Sequence, residues 1–111
     1  MRNLVLAVTV SLLAAPAIAG PFDGTWAMDR AHCSGVYQET QVRISGDSIS
    51  FIETTCRLTN PTNLRDMPEA KLYDLACSGE GSTWSERTLI GKDDDNLLIY
   101  NRGFARSYSR C

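Results

Sequence analysis

The chain carries one histidine in 111 residues and slightly more acid than base, 13 Asp+Glu against 11 Lys+Arg, for a formal net charge of −2. The missing positive charge excludes nucleic-acid binding by bulk electrostatics, which needs a basic face to displace counterions. One histidine leaves little for metal ligation or acid–base chemistry. No Gly-x-Ser-x-Gly elbow is present, and no serine has a histidine and an acid arranged with it. Internal repeats and low-complexity tracts are absent as well. The length rules out a two-domain enzyme, because one domain takes roughly 100–150 residues.

What is present begins with an export signal. Arg2 gives a short positive start, Leu4 to Ala15 is apolar and uncharged, and Pro16 breaks the run before Ala17-Ile18-Ala19. This small-x-small pattern suits signal peptidase. The run is too short for a membrane anchor, which needs about twenty apolar residues. Residues 1–19 are therefore expected to be a removed signal peptide, leaving residues 20–111 as a single domain in a bacterial periplasm or outside the cell. No cysteine follows the cut directly, so neither a lipid anchor nor any membrane anchor is expected after cleavage.

All four cysteines lie in the mature part. An even number in an exported chain reads as a disulfide framework. A domain this small buries only about 60% of its unfolded surface, so crosslinks matter to it. A metal site is not expected, because there is no C-x₂-C pair, and no cofactor is indicated. Asn60-Pro61-Thr62 cannot accept a glycan, since proline fills the middle position.

The mature pattern is β throughout. Gly24 to Met28 reads as a first strand, followed by a loop from Asp29 to Gly35. Val36 to Ser45 alternates, with Thr40, Val42 and Ile44 on one face. Gly46-Asp47 places glycine first in a two-residue turn, which suits a type II′ hairpin. Ser48 to Leu58 is the partner strand; Ile52, Cys56 and Leu58 share one face and Ile49 and Phe51 the other, so a bulge or cover on both sides is expected. Thr59 to Glu69, with two prolines, is expected to be a long irregular connection. Ala70 to Ser78, Ser82 to Ile90, Asn96 to Arg102 and Phe104 to Cys111 complete the set. Of these Asn96 to Arg102 is the most apolar, and Gly103 marks a bulge or bend. Seven short strands with turns every eight to twelve residues predict an all-β domain, a small antiparallel barrel or sandwich stapled by two disulfides.

Four cysteines allow three pairings, and topology favours one of them. In a closed meander the first and last strands are neighbours, so Cys33–Cys111 would pin their seam. Cys56 and Cys77 would then bridge neighbouring strands. A barrel of this size is expected to be filled by its own side chains, without a large enclosed pocket.

Gly24-Thr25-Trp26 in the first strand, with arginines late in the chain, resembles the calycin superfamily of ligand-binding and inhibitor barrels. The resemblance implies that Trp26 closes one barrel end beneath one of Arg102, Arg106 or Arg110, an indole face under a planar cation. The mature chain is much shorter than a lipocalin. Trp26 followed soon by Cys33 is similar to bacterial metalloprotease inhibitors of the Inh type, although those carry one disulfide. Ser34-Gly35-Val36-Tyr37 resembles the Ser-Gly-x-x-Tyr loop of periplasmic lysozyme inhibitors of the MliC type, one residue short, and their second motif has no counterpart.

Other chemistry-bearing residues read plainly. His32 is a lone loop histidine beside an oxidised cysteine. Asp93-Asp94-Asp95-Asn96 lacks the glycine and terminal glutamate of a calcium loop and reads as a solvated turn. Glu53, Glu80 and Glu86 have no spacing that makes a catalytic pair, so an enzyme is not expected. On the last strand Arg102, Phe104, Arg106, Tyr108 and Arg110 share one parity if Gly103 keeps the register. Such a face suits an acidic partner, or it is spent on pairing with acids such as Glu86 or Asp74.

Trp26, Arg102, Arg106, Tyr108 and Arg110 are thus the candidate binding residues. The expected function is a small exported binding protein, an enzyme inhibitor or ligand holder of the cell envelope, with an envelope or secreted protein as partner. The alternative is a structural or assembly protein without a small-molecule site.

Overall fold

A computed structural model describes residues 19–34 and 38–111. The expected signal peptide therefore lies outside the described residues except for Ala19, and so do Gly35, Val36 and Tyr37 of the inhibitor-like loop. The described chain forms eight strands: β1 (Gly24–Ala27), β2 (Gln41–Ser45), β3 (Ser48–Ser50), β4 (Thr55–Leu64), β5 (Met67–Gly79), β6 (Ser82–Asp93), β7 (Asn96–Asn101) and β8 (Phe104–Arg110). They are joined in sequence order into a closed antiparallel barrel. Short 3₁₀ turns at Arg30–Cys33 and Gln38–Thr40 fill the connection after β1.

The inside is set by alternation. Trp26, Val42, Ile44, Ile49, Cys56, Leu58, Tyr73, Leu75, Cys77, Ile90, Leu97, Ile99 and Tyr108 are all buried, and they pack into one core with Phe22. Side chains, Trp26 the largest fully buried among them, fill the interior that eight short strands enclose. Thr88, the fully buried polar side chain, accepts a hydrogen bond from the Asn101 amide at 3.3 Å and donates to the Glu86 carbonyl at 3.4 Å.

Three expectations are corrected. Ser48 to Leu58 is two strands, because the chain leaves the sheet between Ser50 and Thr55; Ile49 then pairs with Cys56 on the inside, while Ile52 is exposed in the connection. This interruption resolves the conflicting parities and makes the strand count eight rather than seven. Thr59 to Glu69 is not irregular either, since β4 and β5 continue through it as a hairpin. Two register shifts and a left-handed Asn60 (φ 50°) admit its prolines at exposed positions. Of bulge and bend, Gly103 is not a bulge within a strand but part of a chain reversal. Arg102 (φ 49°) and Gly103 (φ 82°) are the two residues of a tight hairpin turn of the I′ kind, so Arg102 is not part of β8.

Gly46 takes a positive φ of 59° in the turn between β2 and β3, as glycine at the first turn position allows. The barrel closes where β1 meets β8 through two residue pairs, Trp26 with Arg110 and Ala27 with Ser109. Cys33–Cys111 clamps this short seam and links residues 78 positions apart. Cys56–Cys77 joins directly opposed residues of β4 and β5.

Cys33→Ser/Cys111→Ser is expected to lower stability by about 4 kcal/mol, from the loop it opens. Hydrogen exchange should show β1 and β8 losing protection before β5 and β6; uniform loss would contradict seam opening. Burial raises the hydroxyl pKa of both Tyr73 and Tyr108, with Arg106 opposing the shift at Tyr108. The folded state therefore holds these protons more tightly. Stability should stay flat through neutral pH and fall as pH rises above about 10, where the unfolded tyrosines ionise first. Urea titrations of Tyr73→Phe and Tyr108→Phe should show a shallower fall.

Candidate functional site

At one end of the barrel the chain enters through Phe22 and Asp23. Gly24 has a φ of 147°, and a Cβ there would lie 2.7 Å from an Arg110 guanidinium nitrogen and 3.4 Å from the Trp26 indole nitrogen. Only glycine fits. Trp26, with no exposed surface, donates its indole N–H to the Phe22 carbonyl at 3.0 Å. The Arg110 guanidinium carbon sits 4.2 Å from the centre of the Trp26 ring. The same guanidinium donates to the Asp23 carbonyl at 3.3 Å and pairs with Asp95, also at 3.3 Å. Asp23 in turn accepts the Gly20 and Gly46 amides at 3.0 and 2.8 Å. Phe22 meets Tyr73 edge-on at 6.4 Å.

Of the three arginines set against Trp26 by sequence, Arg110 is the one over the indole. Arg102 sits at the opposite end of the barrel and pairs with Glu86 at 3.0 Å. Arg106 hydrogen-bonds Tyr108 and forms no ion pair with another described residue. The expected face of three guanidiniums and two aromatics is therefore divided between the two ends. Arg110 and Tyr108 are packed into the barrel, while Arg102, Phe104 and Arg106 gather at the far rim. The hairpin turn and the length of β8 separate them.

That rim collects the ends of β1, β3, β5 and β7 and the starts of their partners. It carries three exposed large apolar side chains: Met28, Ile52 and Phe104, the last 68% exposed. Phe104 begins β8 beside the Arg102-Gly103 turn, with Arg106 two residues on. Beneath it Glu86 is largely buried and holds Arg102 on one oxygen and the Asn101 amide, at 3.3 Å, on the other. These contacts fix the base of the hairpin and leave its tip projecting. The signal for this was the Asn101-Arg102-Gly103 order, where glycine second in a two-residue loop denotes a turn of type I′.

The remaining chemistry-bearing residues are engaged in local contacts. The ring nitrogen of His32 lies 2.9 Å from the Thr40 hydroxyl, and its carbonyl accepts the Gln41 amide at 2.7 Å, tying the first 3₁₀ turn to β2. Asp74 is held below the usual carboxylate range by hydrogen bonds from Asn60 and Arg87. Among the described residues no group of three His, Cys, Asp or Glu side chains gathers in a form that could hold a metal ion. Asp95 of the triple-aspartate segment is engaged by Arg110.

Together these features define a disulfide-bonded, closed eight-stranded antiparallel barrel with one end sealed by a tryptophan–arginine stack and the other bearing an arginine-flanked aromatic tip. Comparisons with protein-family models, curated proteins and solved structures find no match to the chain.

Arg110→Ala is expected to lower stability by about 1 kcal/mol or more through loss of the stack over the buried indole, with the Arg110 side chain itself 34% exposed. Asp95→Asn should change it by less than about 0.5 kcal/mol, because the Asp95 carboxylate is exposed and its ion pair is screened. Equal effects in urea denaturation would show that the ion pair, not the stack, matters.

Proposed function

We propose that this chain is a small exported binding protein that engages an acidic protein surface through its rim, as an inhibitor of an exported enzyme. The observation that carries the reading is Phe104, exposed at the start of β8 between Arg102 and Arg106. An exposed aromatic beside guanidiniums is the composition that concentrates binding energy at protein interfaces. The guanidinium forks suit carboxylates, which line the clefts of many hydrolases. The filled interior favours a protein surface over an enclosed small ligand. The Gly24-Trp26-Arg110 arrangement also fits the calycin-like resemblance read from sequence. Export to a periplasm or exterior accords with the apolar N-terminal segment and the two disulfides.

Titration of the purified chain against a panel of lysozymes and secreted proteases is the test. Inhibition at micromolar concentration is expected with at least one of them. Phe104→Ala and Arg106→Ala should each weaken it about tenfold or more, while Arg57→Ala, on the outer wall, should not. No inhibition across the panel, or inhibition untouched by the rim variants, overturns the reading.

A further inference from the structure

Six large apolar side chains are exposed among the described residues, and three of them lie outside the barrel mouth: Met67, Leu98 and Tyr100. All three lie on the outer wall of β5 and β7. In β7, Leu97 and Ile99 point into the core while Leu98 and Tyr100 point outward. A strand that is apolar on both faces is built to be covered on both. The outer row continues through paired positions, with Leu72, Leu89, Tyr100 and Ala105 aligned across β5 to β8. On a small exported domain such a patch marks a contact surface.

Next to this row, toward the tryptophan end, is a cleft of about 230 Å³ walled by Met67, Leu98 and Ser107, with Gly91 at its floor. An apolar cavity of about 150 Å³ admits a benzene ring, so the cleft has room for one aromatic side chain. Its edge carries Glu69, Asp93 and Lys92, and Asp94 follows in the adjoining turn. Glu69, Asp93 and Asp94 form no ion pair with another described residue. The cleft thus presents an apolar hole with a net acidic edge. At the other end of the same molecule the rim hairpin presents an apolar knob, Phe104, between two arginines.

We propose that the occupant of the cleft is Phe104 of a second copy of this chain, with Arg106 of that copy, which has no ion pair of its own among the described residues, meeting the Glu69 and Asp93 edge. Knob and hole are different surfaces, so the contact is head-to-tail. Each added copy leaves one knob and one hole unused, and the assembly grows with concentration rather than stopping at a two-fold dimer. The tip is the one assigned to partner binding above, so self-association and binding of another protein exclude each other at that tip. The contact does not depend on that assignment.

The test is sedimentation velocity on the full-length chain expressed in an exporting bacterial host and purified, from about 5 to about 500 μM. The weight-average mass should rise steadily over this range and fall back in high salt, as screening weakens the charged edge. Phe104→Ala removes the knob and Ser107→Arg fills the hole with a repelling charge. Both positions are exposed, and unchanged near-ultraviolet circular dichroism will confirm that the variants fold. Each variant alone should stay monomeric, with its association constant reduced at least about tenfold. Mixed, the two should form a single capped heterodimer, since Ser107→Arg keeps the knob and Phe104→Ala keeps the hole. A wild-type chain monomeric throughout, variants that still associate, or a mixture that does not pair would each overturn the proposal. Loss of enzyme inhibition with self-association intact would count against the function proposed above and leave this contact standing.

Discussion

The barrel depends on closing a seam of two residue pairs between β1 and β8. So short a ladder contributes few hydrogen bonds, and side chains supply the rest. Trp26 is buried beneath it, Arg110 lies across the indole, and Cys33–Cys111 fixes the last residue to the connection after β1. Gly24 belongs to the same unit, because its missing side chain leaves the space that the arginine fills. Without closure the first and last strands would be free edges, which invite pairing with other chains.

The two ends of the barrel differ in how their charges are engaged. At the tryptophan end Arg110 is occupied by an indole, a carbonyl and a carboxylate, contacts that tie the end of β8 to β1 and to the turn before β7. At the rim Glu86 braces the hairpin through Arg102 and Asn101, while Phe104 and Arg106 are exposed at the mouth of the barrel. A hairpin whose base is held by an ion pair and an amide hydrogen bond has fewer ways to move at its turn than one without them.

Much of this was legible in the residues. Alternation along Gln41–Ser45 and Tyr73–Cys77 gave the inward faces, because side chains in a strand repeat every two residues. Even cysteine number and the logic of a closed meander gave the pairing of Cys33 with Cys111 and of Cys56 with Cys77. The errors came where local rules met tertiary pairing. Thr59 to Glu69 has the composition of a loop, yet β5 stabilises it as strand through a bulged register that no local propensity reveals. Gly103 fits a bulge or a turn equally well, and which it is depends on whether β7 and β8 pair.

Sequence alone determined the class: an all-strand, twice-bridged barrel or sandwich with a Gly-x-Trp opening, since periodicity and cysteine count are properties of the chain itself; that the sheet closes into a barrel was decided by pairing of the first and last strands. Tertiary structure decided which arginine covers the tryptophan. Arg102, Arg106 and Arg110 share a parity in the sequence, but the hairpin turn and the span of β8 place Arg102 and Arg110 at opposite ends of the barrel. Register across strands is a long-range property, set by the packing of the whole core, and it decided which of these charges lies over the indole and which stand at the other end of the barrel.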